Sequence, residues 1–189
     1  MFFYSCCKSP FTANNYLIRT LIRFGFYIQK LELSLMVSQK VVLEPIGYVR
    51  TGAVGDEIKD KAVISKIVVR EELVAGLEGI DGFSHLFVLF WLNQISSAQR
   101  KTLKVHPRGR MDLPLLGVFA TRTMLRPNPI ALTLVELLKV EGNVLTVKGL
   151  DAYDGTQVLD VKPFDRWDVA TEAKVPDWWK KLEAERKKA

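Results

Sequence analysis

Seven short, mostly apolar runs separated by Gly, Pro and Asp turn signals limit this chain to a small set of folds. The runs cover residues 41–50, 62–69, 83–92, 117–121, 132–140, 144–149 and 157–163. A succession of short strands with regular turn signals is typical of a β-barrel or a β-sandwich. Too few helical segments alternate with the runs to build a doubly wound parallel sheet. The sequence therefore predicts a mainly β fold.

Local signals place the remaining elements. Glu141-Gly142-Asn143 lies between two runs and predicts a hairpin turn. Residues 83–92 are nearly all apolar, which indicates a fully buried strand. We expect a short helix over residues 70–77 and a C-terminal helix over residues 177–188. Asp177 is placed to cap the second helix, and its docking residues are predicted to be Trp178, Trp179 and Leu182.

The first 35 residues differ in composition from the rest of the chain. They hold four Lys and Arg residues against one acid, Glu32, together with Cys6 and Cys7. Residues 16–31 have the pattern of a basic amphipathic helix, as in a transit peptide. An upstream start codon, with Met36 as the true start, is the alternative that we favour. We expect an N-terminal extension over residues 1–36, a barrel domain over 37–166 and a C-terminal helix or tail over 167–189.

Composition excludes several function classes. The chain has 189 residues and a net charge of +6, which suits one compact domain and is compatible with a polyanionic partner. Two adjacent cysteines and two histidines argue against a disulfide scaffold and a zinc site, so we expect no metal. The longest apolar run, residues 86–92, is too short to span a bilayer as a helix. This cysteine usage suits a reducing compartment, and we expect a cytoplasmic protein without membrane attachment.

The segment GVFATRTMLRPNPIAL, residues 117–132, carries the strongest functional signal. Pro127 and Pro129 lack backbone donors and favour extended geometry at Arg126 and Asn128, which predicts a stiff loop. The loop would hold the guanidinium groups of Arg122 and Arg126 in fixed directions. Such planar groups suit a carboxylate or a phosphate. The alternative is a rigid surface turn whose arginines pair with nearby acids.

Three further patterns could serve chemistry or structure. Ser84-His85 precedes the most apolar run, where a histidine entering the core needs hydrogen-bond partners. Asp151 and Asp154 flank an Asp-Gly turn, where carboxylates can hold an ammonium group or hydroxyls, or simply face solvent. Residues 100–110 hold five Lys and Arg residues and a histidine. That run can contact phosphates or form an ordinary solvated loop.

The segment at 117–132, together with LDAYDGTQVLDVKPF at 150–164, resembles the signature of the TrmO family, also described as YaeB-like or TsaA-like. PIGYVRTG at 45–52 and GIDGFSHLFVLFWL at 79–92 agree with it and follow the family's order. The resemblance implies a small single-domain β-barrel rather than a Rossmann core, with S-adenosyl-L-methionine as cofactor. It also implies methylation of N6 of the threonylcarbamoyl-adenosine beside the anticodon of tRNA, by a homodimer.

Carried over residue by residue, the resemblance assigns the cofactor site to Thr51, Gly52, Ala53, Ser84, His85, Arg122, Leu132, Asp151, Ala152, Tyr153 and Asp154. Thr51-Gly52-Ala53 stands where the family commonly has Ser-Pro-Tyr, so an aromatic contact is lost there. For the RNA substrate we expect Arg126, Asn128, Lys104, Arg108 and Arg110.

No catalytic residue is assigned, although Asp154 and His85 are candidates for a general base. The alternatives are a methyltransferase with the same pocket that acts on another RNA or a small metabolite, and a binding module for cofactor or RNA without turnover.

Overall fold

The structure is a computed structural model that describes residues 41–187. A compact unit begins at Leu43 and contains every strand given below. The predicted N-terminal extension, residues 1–36, lies outside the described residues, as do Cys6, Cys7 and the predicted amphipathic segment. The division of the chain into an extension, a barrel domain and a tail therefore stays a prediction.

Within residues 41–187 eight strands form, and six of them close into a barrel. The strands are β1 (Gly47–Arg50), β2 (Ile64–Val69), β3 (His85–Trp91), β4 (Lys104–Val105), β5 (Leu116–Gly117), β6 (Ile130–Glu141), β7 (Val144–Lys148) and β8 (Gln157–Pro163). The barrel order is β1-β2-β7-β6-β3-β8, and all six pairings are antiparallel. β4 and β5 form a separate two-stranded ladder. The mainly β barrel predicted from the sequence is confirmed.

Alternate residues of each barrel strand point inward and form the core. On β3 these are Leu86, Val88 and Phe90, each at most 1% exposed. The prediction that this strand is fully buried is wrong. His85, Phe87, Leu89 and Trp91 lie on the outer face and are only partly buried, because a barrel strand has an outer as well as an inner side. His85 therefore does not enter the core.

Other boundaries also differ from the sequence-based prediction. The first strand begins at Gly47, after Pro45, and not at residue 41. Residues 117–121 do not form one strand. The two-residue β5 ends at Gly117, and a 3-10 turn, Val118–Ala120, follows because Thr121 donates its N–H back to the carbonyl of Val118. The predicted helix over 70–77 is a 3-10 helix, Glu71–Leu77.

One α-helix, α1 (Asp177–Arg186), forms near the C-terminus. Its N-cap is Pro176 and not Asp177, which lies in the first turn and pairs with Lys180 at 2.8 Å. Leu182 is 5% exposed, as its predicted docking role requires, whereas the prediction that Trp179 docks the helix is wrong, since it is 41% exposed. Within residues 41–187, no helix combines the length and the apolar character that crossing a membrane requires.

The antiparallel topology gathers the connections at two ends of the barrel. The end that we call the upper end carries the β1–β2 connection at 51–63, the long segment at 92–129 and the β7–β8 loop at 149–156. The lower end carries the β2–β3 connection at 70–84, the β6–β7 hairpin turn at Gly142 and the chain after Pro163. Gly142 has a φ of 58°, which confirms the predicted turn.

Candidate functional site

The β7–β8 loop is fastened to the end of β1 by Asp154. The backbone N–H of Thr51 donates to Oδ1 of Asp154 at 3.0 Å, and the guanidinium of Arg50 donates to Oδ2 at 3.2 Å. Gly155 donates its N–H to the carbonyl of Val49 at 2.9 Å. The predicted site segments at 51–53 and 151–154 therefore lie side by side at the upper end.

Asp151 is joined to the start of β6. Glu136 of β6 faces Lys148 of β7. Thr133, three residues before Glu136, therefore meets Asp151, three residues after Lys148. The hydroxyl of Thr133, which is 8% exposed, donates to Oδ1 of Asp151. Leu132, the neighbour of Thr133, lies on the outer face and is 57% exposed. The start of β6 thus brings Leu132 beside the acidic loop.

The segment at 122–129 has no regular secondary structure, as its prolines predict. Arg126 donates to the carbonyls of Val118 at 3.2 Å and of Thr121 at 2.9 Å, so it braces the preceding turn. Its partners are backbone carbonyls and not nearby acids, which was the alternative. Arg122 and Asn128 are exposed, in the connection that leads into β6.

The cations of the 100–110 run are not equivalent. Lys104 and Arg108 are exposed, and Arg108 has a φ of 55°. The guanidinium of Arg100 lies 5.0 Å from the centre of the Trp91 ring and donates to the carbonyl of Ile95. Arg110 is engaged by two carboxylates, those of Asp112 and Glu185. The last pairing joins this run to α1.

The ion pairs of Arg110 lower the pKa of two carboxyl groups. Hydrogen bonds from Arg110 and then from Lys181, whose Nζ lies 2.8 Å from Oδ2 of Asp112, hold the pKa of Asp112 well below its usual range. The hydrogen bond from Arg110 also lowers the pKa of Glu185. Both carboxylates are therefore charged at neutral pH, and both bind the guanidinium of Arg110.

Ser84 and His85 lie at the lower end. The Oγ of Ser84 is 2.9 Å from Nδ1 of His85, and the ring of His85 packs edge-on against Phe164. On β3, four residues separate His85 from Leu89, the partner of Leu132. At about 3.3 Å per residue, His85 and Leu132 are about 13 Å apart along the strand. No hydrogen bond joins Ser84 or His85 to the 51–53 or 151–154 loops among the described residues.

Two contacts of the site were not predicted from the sequence. Arg50 and Thr133 hold Asp154 and Asp151, yet they lie 104 and 18 residues from those partners. No local pattern marks such pairs, because only the strand order of the barrel brings them together. Among residues 41–187, no group of three or more His, Cys, Asp or Glu side chains is arranged to hold a metal ion.

Comparisons with known proteins agree on one family. Residues 55–168 match the family model described as the tRNA-methyltransferase O N-terminal domain. A probable S-adenosyl-L-methionine-binding protein of Methanothermobacter thermautotrophicus is 47% identical over 100 residues, which cover 53% of this chain and 69% of the relative. A tRNA (adenine(37)-N6)-methyltransferase of Mus musculus is 44% identical over 88 residues, or 47% of this chain and 20% of that protein.

A solved structure described as TrmO superposes with a TM-score of 0.60 at 32% sequence identity. The match covers 72% of this chain and 64% of the solved chain. The chain therefore spans less than two thirds of that solved structure, and one fifth of the mouse relative.

Proposed function

Because the chain belongs to the TrmO family, we propose that it is an S-adenosyl-L-methionine-dependent methyltransferase that acts on tRNA. The acceptor in this proposal is N6 of threonylcarbamoyl-adenosine beside the anticodon. The observation that carries it is the meeting of the 51–53 and 151–154 loops and the start of β6 at one end of the barrel, the end that also carries the connection with Arg122. The descriptions of the archaeal and mouse relatives support the cofactor and the class of acceptor.

The residues at the upper end fit the cofactor's functional groups. The carboxylate of Asp151 is exposed and oriented by Thr133, and it suits an ammonium group or ribose hydroxyls. Arg122 is exposed and suits a carboxylate. A side chain added at Gly52 would meet nothing within 4 Å, so a ligand has room to approach the backbone there. Leu132 supplies an apolar surface for a flat ring.

When bound, S-adenosyl-L-methionine supplies an electrophilic methyl group at its sulfonium. The chain's own residues then have to hold the donor and acceptor in line and keep water out. We assign Asp154 to holding the loops and not to proton transfer, because each of its carboxylate oxygens already accepts a hydrogen bond. No residue of the chain is assigned here as a general base.

We further propose that the protein is a homodimer through the outer face of β3 and β6. Phe87 and Leu89 of β3 pair with Leu134 and Leu132 of β6. The two β6 leucines are 41% and 57% exposed. A contiguous apolar stripe on the outside of a barrel indicates a surface that another molecule covers. A second copy related by a two-fold axis offers the same stripe in return.

This arrangement would complete the cofactor site. The stripe runs from His85 at the lower end to Leu132 at the upper end. A two-fold axis perpendicular to the stripe reverses its direction in the second copy, so the lower end of one copy meets the upper end of the other. We propose that Ser84 and His85 of one copy join Arg122, Leu132 and the acidic loop of the other.

For the RNA we propose Lys104 and Arg108 as the phosphate contacts, and Arg126 and Asn128 as part of the adjoining rim. Arg110, predicted from the sequence as a third phosphate contact, is already paired with Asp112 and Glu185 and is left out of this set. The cytoplasmic location predicted from the sequence agrees with a tRNA substrate and stays a prediction.

Mass spectrometry of tRNA nucleosides tests the proposed reaction. The purified protein is incubated with S-adenosyl-L-methionine that carries a trideuterated methyl group. The acceptors are two tRNA preparations, with and without threonylcarbamoyl-adenosine. We expect the label only on the modified nucleoside. Label on another nucleoside would move the acceptor site. Binding of the cofactor by calorimetry without label in either RNA would contradict tRNA methylation and favour the small-metabolite or binding-module alternatives.

A further inference from the structure

We propose that Phe119 is a stacking platform for a base of the RNA, beside the phosphate contact Lys104. The inference rests on the proposed function, since it requires that the protein binds tRNA. It assigns a positioning role to a residue outside the proposed cofactor site and phosphate contacts.

Phe119 is 74% exposed, although it lies in the middle of a well-fastened turn. Val118 before it is 1% exposed and donates its N–H to the carbonyl of Leu103 at 3.0 Å. After it, the Thr121 hydroxyl donates to the carbonyl of Val118 at 3.0 Å. Arg126 donates to the carbonyls of both Val118 and Thr121. The fold thus fixes the backbone on each side of an aromatic ring that faces solvent.

One cation lies against this ring, and a second lies on the adjoining ladder. The guanidinium carbon of Arg126 lies 5.5 Å from the ring centre, within cation–π range. Lys104 faces Gly117 in the β4–β5 ladder, two residues before Phe119. The sequence has no Asp or Glu between Asp112 and Glu136. Exposed cations beside a solvent-facing aromatic ring are the combination with which proteins bind single-stranded nucleic acid.

Two sources of a flat aromatic ring fit this chemistry: a base of the RNA and the adenine of the cofactor. The placement favours the RNA, because Phe119 lies next to the ladder that carries Lys104, whereas the acidic loop that suits the cofactor follows β7. A partner surface for a second copy is a further use of an exposed ring, and the test below separates all three.

The test compares Phe119→Ala with Phe119→Trp and with Met111→Ala. Met111 is 78% exposed and lies in the same 92–129 segment, so it matches Phe119 in exposure and apolar character. Binding of a labelled anticodon stem-loop RNA is followed by fluorescence anisotropy, cofactor binding by calorimetry and oligomeric mass by light scattering. We expect Phe119→Ala to weaken RNA binding about 5- to 150-fold, which is the range for loss of one stacked base. Phe119→Trp and Met111→Ala should bind RNA like the wild type.

Any other result for Phe119→Ala would overturn the inference, and the three assays tell these results apart. Loss of cofactor affinity with normal RNA affinity would show that the ring stacks on the cofactor's adenine. A fall in oligomeric mass would show an interface between copies. Normal behaviour of Phe119→Ala in all three assays, beside a wild type that binds RNA, would remove the stacking role alone. A wild type that binds no RNA would instead contradict the proposed function itself.

Discussion

Two inactive variants should restore methyl transfer when they are mixed, if each site draws residues from two copies. The variants are His85→Ala and Asp151→Asn, which alter the lower-end and the upper-end contribution. His85 and Leu132 of one chain are about 13 Å apart along β3. In the proposed dimer, a mixed pair has one site with both residues intact and one with both altered.

The expected size of the effect follows from this symmetry. Random exchange makes half of the dimers mixed, and each has one intact site of two, so the mixture should reach about one quarter of wild-type activity. The assay is transfer of a labelled methyl group to tRNA after subunit exchange. Two affinity tags allow the mixed dimer to be isolated, and its activity should be about half that of wild type.

A second mixture serves as the control. Arg122→Ala and Asp151→Asn both alter the upper end, so every site in their mixed dimer has one altered residue and no activity should return. Absence of restoration in the first mixture, although light scattering shows mixed dimers, would refute the shared site. Restoration in the control mixture would refute the assignment of Arg122 and Asp151 to the same copy.

Four further outcomes are expected. Gly47→Ala should lower the free energy of unfolding by about 1–3 kcal/mol in denaturant titrations, because its Cβ would lie 2.3 Å from the carbonyl oxygen of Val68. Gly82→Ala, with nothing within 4 Å, should change it by less than about 0.5 kcal/mol. Arg122→Ala should weaken cofactor binding by about 1.5–3 kcal/mol in calorimetry, as expected for loss of a charge-assisted hydrogen bond. Lys104→Ala with Arg108→Ala should flatten the log–log salt slope of tRNA binding by about 1.4–1.8, whereas Arg110→Ala should leave it unchanged. Arg110 lowers the pKa values of Asp112 and Glu185 below those of the same carboxyl groups in the unfolded chain. The stability that these ion pairs give to α1 is therefore present above the ordinary pKa of a carboxyl group. It is lost as the pH falls below about 4. Tryptophan fluorescence of α1 should follow that loss in the wild type but not in Arg110→Gln.

The barrel strands could be predicted because their signals are local. Gln157–Pro163 is bounded by an Asp-Gly turn and by a proline, and the observed strand has the predicted bounds. Residues 117–121 have the same apolar and β-branched character, yet the strand ends at Gly117. The carbonyl of Leu103, 15 residues earlier, accepts a hydrogen bond from the N–H of Val118. Arg126 donates hydrogen bonds to the carbonyls of Val118 and Thr121. These tertiary contacts override the strand propensity of the segment.

In the candidate site, too, the features set by local sequence could be predicted, and those set by distant contacts could not. The loops that hold Asp151 and Asp154 follow from local turn chemistry. The role of Arg110 does not, because its partner Glu185 lies 75 residues away on α1. Arg110, predicted from the sequence to contact a phosphate, therefore binds Glu185 and holds the C-terminal helix in the structure.

The position of Ser84-His85 depends on strand order and carries the strongest argument about assembly. β3 begins at the lower end with His85, whereas β7 delivers Asp151 to the upper end. Antiparallel pairing through β6 fixes these directions and leaves His85 and Leu132 of one chain about 13 Å apart along the strand. In the proposed dimer, a second copy supplies His85 to the site that holds Asp151. The apolar stripe of Phe87, Leu89, Leu132 and Leu134 lies between the two ends, on the face that a two-fold partner would cover. In this family member the dimer would thus be a condition of the chemistry and not only of stability.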